Sequence, residues 1–276
     1  MVTVGRISEI WRYPVKSIAG ERIDSADLDA LGIPGDRRLA LRNLESGKII
    51  SAKVPKFGRE LLALAASLAD GGRISVTDAG VELGEAGSEL LDGVLTERLG
   101  VPVRIEAATT TADEVYESYW PEIEGLALSG VEADLPLSMM TAKGTFVDLA
   151  ALHLVSSGSL RTIGDLLPDS VISVNRFRPS IVIDSAAAEG FVENAWTNTT
   201  ATLGEARIAI SSAAPRCVMT TLEQPGLPAD KAVLQTLATE NRVPFAGLGD
   251  FACLGVYAEV VEPGRVAVGD ELVLDG

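Results

Sequence analysis

The chain has 276 residues, 47% hydrophobic and 22% charged, enough to bury a sizeable core as one large domain or two smaller ones. Its 39 acidic residues against 23 basic give a formal net charge of -16, whose averaged field repels DNA, RNA and anionic membranes, so neither nucleic acid nor a membrane is an expected partner. Two cysteines, Cys217 and Cys253, are too few for a disulfide framework or a zinc set and fit a reducing compartment, the cytoplasm.

The opening, MVTVGRISEIWRYPVKS, alternates apolar and polar residues and lacks both the apolar core and the cleavage site of a signal peptide. It predicts a strand over 2–13, followed by strands over 38–42 and 48–52 around a turn at 45–47, and over 73–77 and 81–83 around 78–80. The first third therefore reads as a β meander. Residues 57–68 carry a continuous apolar run that fits helix or strand, and its core, 61–68, is far shorter than the roughly 20 residues a bilayer requires. Helical spacing over 88–99, closed by Gly100, predicts a helix.

The acidic stretch 109–134, interrupted by Pro121, Gly125 and Gly130, reads as a connector, which divides the chain into domains 1–108 and 109–276. Beyond it the pattern predicts a strand at 152–155, a helix opening at 157–159 and a strand at 180–184. A further β run spans 201–222, a helix 229–241, and two last strands cover 251–261 and 265–274 around a turn at 262–264. The expected fold class is mainly β (α+β), with a few helices.

The single histidine, His153, lies in an apolar run and reads as a satisfied core residue; with no second histidine, a Cys/His nucleophile pair would depend on it alone. Cys217 stands in AAPRCVMTTLEQPG, where strand alternation would put Cys217 and Met219 on one face. Composition alone allows a small buried hydrophobe there.

Four strings in order, YPVKS at 13–17, NRFRPSIVI at 175–183, PRCVMTTLE at 215–223 and FACLGVYAEVVEPGRVAVGDELVL at 251–274, together resemble the MOSC family. The resemblance spans nearly the whole chain. It includes the N-terminal MOSC β-barrel domain of proteins similar to the mitochondrial amidoxime reducing component and its bacterial relatives, and implies a MOSC-type β-barrel domain preceded by a smaller, β-rich, barrel-like one.

The resemblance implies a molybdenum cofactor (Mo-molybdopterin), with Cys217 as metal ligand and catalytic residue. A thiolate suits a high-valent metal already bound by sulfur, and a neighbouring cation such as Arg216 favours its deprotonation. The cofactor's phosphate and polar pterin call for cations and hydrogen-bond donors. Lys16, Ser17, Arg37, Arg176 and Arg178 match family positions and come from both halves of the chain, which suggests a cleft between the domains. Asp148, Leu149, Ala150 and Tyr257 match further family positions. Taken singly, each charge could be a solvated surface group, or Arg37 a partner of Asp36.

Two departures stand out. Ser180 follows RFRP where many relatives have asparagine, a different donor set, and Glu223 to Leu227 replace an Asp-Pro-Asp-Thr-Gly-like turn, which bears on substrate preference. The activity implied is reduction of small N-hydroxylated substrates, with protons through water and electrons from a separate donor protein, since no ferredoxin module follows in the sequence. A flavin reductase, a ferredoxin-like protein or a haem protein would serve. A cofactor or sulfur carrier without turnover, and a metal-free thiol enzyme, are the alternatives.

Overall fold

A computed structural model describes residues 1–109, 115–123, 129–136, 144–186, 188–245 and 247–275. The first half runs β1 (Val2–Arg12), β2 (Glu21–Ile23), β3 (Ser25–Leu28), β4 (Leu39–Asn43), α1 (Pro55–Leu62), β5 (Leu64–Leu68), β6 (Ile74–Asp78), β7 (Val81–Glu85), α2 (Glu89–Leu99), β8 (Val103–Ala107), β9 (Val115–Trp120) and β10 (Val131–Pro136). The second runs β11 (Leu152–Ser156), α3 (Ser157–Leu166), α4 (Val174–Phe177), β12 (Ile181–Asp184), β13 (Thr199–Leu203), β14 (Ala206–Pro215), α5 (Ala232–Glu240), β15 (Arg242–Pro244), β16 (Asp250–Glu262), β17 (Gly264–Ala267) and β18 (Glu271–Leu274).

The fold is mostly β with five α-helices among the described residues. Strands pair in the order β11-β12-β1-β18-β13-β14-β16, and β16 returns to β11, so seven strands close a barrel and leave no open edge among themselves. Inward-facing Ile7, Ile10, Ile181, Ile183, Ile208, Ile210, Val256 and Leu272 fill it. Every residue of β11 is buried because its outer face is covered as well: Val155 packs with Ile163 of α3 and Val233, Leu234 and Leu237 of α5.

The expected meander over the first third needs correction. β1 pairs with β2, but also with β12 (Ile7↔Ile183) and β18 (Val2↔Leu274), so the first strand lies inside the barrel built otherwise from residues 152–274. The reason is burial: Ile7 and Ile10 find an apolar interior only between those partners. Residues 48–52 form no strand with β4 beyond an isolated bridge at Arg42↔Ile49; β4 pairs with β8 instead. The hairpin β6–β7 and the helix α2 are as expected, α2 opening on the Ser88 hydroxyl, which accepts from the Leu91 N–H, and closing on Gly100 at φ 68°.

The ambiguous run 57–68 is both things in turn: α1, started by Pro55, then β5. Leu61, Leu62 and Leu64 of this run, with Phe57, Val76, Leu91, Leu95 and Ile105, make the second core, that of the N-terminal unit. The stretch 109–134 holds more than a connector, since β9 and β10 pair as an antiparallel hairpin docked on Ile49; of that stretch, 110–114 and 124–128 lie outside the described residues. The run 201–222 is the hairpin β13–β14, which stops before Cys217, and 265–274 is two strands: β17 pairs with β3 and β18 enters the barrel. Among the described residues no helix is long and apolar enough to cross a membrane.

Candidate functional site

β14 ends at Pro215, and Cys217 begins a 3-10 turn, Val218–Thr221, rather than continuing the strand; its carbonyl accepts from the Thr220 N–H (3.2 Å) and hydroxyl (3.0 Å). The expected alternation of Cys217 and Met219 on a strand face is therefore replaced by a turn. Just beyond it, Met219 and Leu222 pack into the N-terminal core, and a Cβ on Gly58 would stand 2.5 Å from Leu222 Cδ1 and 2.9 Å from the Ala52 carbonyl oxygen, so any larger residue would push against this contact. That plug pins Cys217, a partly exposed free thiol, at the seam between the two cores. Cys253 is fully buried, and burial pushes its thiol up to about 12.

A cleft of about 290 Å³ opens at the seam. Cys217 lines it together with Lys16, Ser17, Arg37, Asp148, Leu149, Ala150, Arg176, Arg178, Arg216 and Tyr257. Tyr13 organises one wall. The Arg37 and Arg178 guanidinium carbons lie 4.7 and 4.3 Å from its ring centroid, Asp36 pairs with Arg37 at 2.6 Å, and Arg178 donates to the Ile18 carbonyl at 2.7 Å. Burial brings Arg178 down to about 10, with the Tyr13 hydroxyl and Asp36 opposing and Arg37 assisting. Ser17, Arg37 and Arg178 all have positive φ (68°, 47° and 53°), a conformation costing a non-glycine residue about 1–3 kcal/mol. Three such residues around one cleft mark it as a place where geometry is held at the expense of stability.

Elsewhere in the lining two lysines share one carboxylate. Lys16 Nζ reaches Asp148 Oδ1 (2.5 Å) and the Phe146 carbonyl (2.8 Å); Lys53 Nζ reaches Asp148 Oδ2 (3.1 Å) and the Tyr116 hydroxyl (3.3 Å). Both ammonium groups sit over the Tyr116 ring, at 5.1 and 4.7 Å from its centroid. Burial brings Lys16 down to about 8, Asp148 opposing and Lys53 adding to the shift. Burial also pulls on Lys53, but Asp148, Tyr116 and Cys217 together outweigh it and hold its pKa above the ordinary lysine value. Burial likewise disfavours the Asp148 carboxylate, yet its two ammonium partners keep it well below the usual range.

Arg216, expected beside the thiol, lines the same cleft as Cys217. Its donors go to the carbonyls of Ala214, Pro215 and Phe177 and to the Tyr257 hydroxyl (2.9 Å), so it ties β14 to α4 and orients Tyr257. His153 is buried with Nε2 3.2 Å from the Leu254 carbonyl and its ring 5.6 Å from that of Tyr257; burial, with Arg216 assisting, holds it neutral. Arg176 is 1% exposed and spends its guanidinium on the carbonyls of Val171, Thr220 and Pro228, a clamp on the Cys217 turn. Ser180 is fully buried and exchanges hydrogen bonds with the His153 backbone, so it does not line the cleft; a short hydroxyl there braces β12 against β11. Sequence reasoning missed Lys53, Tyr116, Ser118 and Trp120, which also line the cleft. The alternation of VYESYW was the signal for the last three.

Over residues 141–273 the chain matches the MOSC domain, and over 4–97 the MOSC N-terminal beta barrel domain. The chain belongs to the MOSC family. This MOSC protein is 23% identical to mitochondrial amidoxime-reducing component 1 of Homo sapiens, over 99% of its own length and 84% of that protein's, and 25% identical to mitochondrial amidoxime-reducing component 1 of Xenopus laevis, over 97% and 81%. Among solved structures, the YUAD protein from Bacillus subtilis aligns over 97% of this chain and 93% of that one, at 11% identity and a TM-score of 0.41.

Proposed function

We propose that this MOSC protein is a molybdenum-cofactor-dependent oxidoreductase that reduces N-hydroxylated compounds, among them amidoximes, hydroxylamines and N-hydroxylated bases. The observation that carries the reading is the composition of the cleft: one partly exposed thiol, Cys217, beside six basic side chains and a single carboxylate, in a chain of formal net charge -16. Among the described residues no three His, Cys, Asp or Glu converge to hold a bare ion, so a metal here must bring most of its ligands with it, and the cleft offers one soft donor to complete them.

Cys217 would bind the molybdenum; Lys16, Arg37 and Arg178 would receive the phosphate and pterin oxygens, and the 148–150 loop would meet the pterin. When bound, the cofactor supplies two-electron removal of oxygen from the substrate. The chain's own part is to hold the anionic group, orient Tyr257 through Arg216, and keep the lining rigid through Arg176 and the Met219–Leu222 plug. Electrons would come from a separate protein, a flavin reductase, a ferredoxin-like protein or a haem protein. The relatives named as amidoxime-reducing components support the substrate class, and a reducing compartment such as the cytoplasm suits two free thiols.

The test is elemental analysis of protein expressed in a host that makes the cofactor, wild type beside Cys217→Ala, followed by benzamidoxime reduction with an artificial donor. Near-stoichiometric molybdenum lost only in the variant, with turnover only in the wild type, is the expected result. Wild type that holds molybdenum yet reduces none of several N-hydroxylated compounds would leave a carrier in place of an enzyme.

A further inference from the structure

β9 presents Tyr116, Ser118 and Trp120 to the cleft at a spacing of two, so all three share one face of the strand. Two features of that face are unexplained by packing. The Tyr116 hydroxyl accepts from Lys53 at 3.3 Å, and because an ammonium group only donates, the phenolic hydrogen is left over; among the described residues nothing accepts it. Ser118 is 3% exposed and its Oγ is buried with no hydrogen-bond partner among the described residues, a cost of about 1–3 kcal/mol that a purely structural serine would not carry. Two unspent hydroxyls on one strand face, beside a cleft that also holds the thiol, call for an oxygen- or nitrogen-bearing ligand.

We propose that the β9 face is the substrate wall, where the Tyr116 hydroxyl gives a proton to the departing oxygen and the Ser118 hydroxyl positions the N-hydroxylated group beside it. This rests on the reductase reading above. Reduction breaks the N–O bond with two electrons from the electron-donor protein; the hydroxyl oxygen, which already carries one hydrogen, takes one proton from Tyr116 and leaves as water, and the nitrogen takes one proton from solvent and ends as an amine or amidine. Lys53 then returns a proton to the phenolate and is itself recharged from solvent past Asp148, the partly exposed end of the chain Asp148–Lys53–Tyr116. Lys53 thus acts through Tyr116, as a positioning residue and proton reservoir. Burial raises the Tyr116 pKa, with Lys53 opposing, which keeps the phenol protonated and able to donate.

The experiment measures molybdenum content, kcat and KM for benzamidoxime in the cofactor-loaded wild type, Tyr116→Phe, Ser118→Ala, Lys53→Met and Lys53→Arg. Tyr116→Phe should keep its molybdenum and its KM while kcat falls about 100-fold, the usual contribution of a positioned general acid. Ser118→Ala should raise KM about tenfold, the worth of one hydrogen bond. Lys53→Met should mimic Tyr116→Phe, and Lys53→Arg, whose guanidinium keeps the charge but does not release a proton, should recover little of the loss. Tyr116→Phe with kcat within twofold of wild type overturns the proposal, and so does loss of molybdenum from Tyr116→Phe, which would make β9 a cofactor wall. If Tyr116→Phe does not fold, Ser118→Ala with unchanged KM, or Lys53→Met with unchanged kcat, overturns it equally. Loaded wild type that fails with every N-hydroxylated substrate sinks the reductase reading itself, whereas wild-type turnover with indifferent variants sinks this proposal alone.

Discussion

Lys16 is an ammonium group with 5% exposure and half a carboxylate, since Lys53 holds the other oxygen of Asp148. Its folded pKa near 8 lies below the ordinary 10.5, so between those values the unfolded chain holds a proton that the folded chain lacks. Folding stability therefore rises with pH across that window, and the destabilising charge is fully present below about 8. Urea midpoints of cofactor-free protein should show this as a wild-type minus Lys16→Met difference that becomes more favourable from pH 8 to 10; a flat difference would refute it. Residues of this kind were only partly legible in the sequence. The strings around Lys16, Arg37, Arg178 and Cys217 pointed to the cleft because they were contiguous motifs. Arg176 and Ser180 stood in the same motif, but the backbone turns one into carbonyl clamping and the other into bracing between strands. Lys53 was invisible for the opposite reason: its hydrogen-bond and ion-pair partners in the site, Tyr116 and Asp148, are both remote from it in sequence.

Elements were legible where local chemistry decides them and illegible where partners do. α2 has its serine cap and its left-handed glycine, and β6–β7 its tight turn, so periodicity found both. Cys217 was placed on a strand because its neighbours alternate, yet insertion of Met219 and Leu222 into the other core bends the chain into a 3-10 turn. Within β16, Gly255 holds φ 86° opposite β11, its N–H donating to the buried Glu193 carboxylate at 3.0 Å. A Cβ there would stand 2.4 Å from His153 Nε2 and 2.6 Å from the Leu154 carbonyl. Gly255→Ala should thus destabilise the protein by about 2–4 kcal/mol, from overpacking together with an unfavourable φ. It should also displace His153 from Tyr257; a denaturant midpoint equal to wild type would contradict this.

For the molecule as a whole, the feature least visible in the sequence is that the first strand belongs to the barrel. Alternation in β1 announced a strand, but nothing local announces neighbours as remote as Ile183 and Leu274. The expected division at 108/109 becomes a testable matter on this ground. A fragment of residues 109–276 lacks the strand between β12 and β18 and leaves Ile181, Ile183 and Leu272 uncovered, so it should be insoluble or lack cooperative unfolding. The same fragment with residues 1–12 supplied as an added strand should melt cooperatively in calorimetry. Indifference to those residues would show that the barrel closes without them.

β1 also leaves the ribosome long before the strands that flank it in the barrel, β12 and β18. Until then it is an amphipathic ribbon with open hydrogen-bonding edges, while the α1–β8 unit behind it can already condense around Leu61 and Leu91. Pairing of β1 with β18 must therefore wait until β18 has been made. Production of this protein should accordingly depend on whatever shields β1 until β18 has been made.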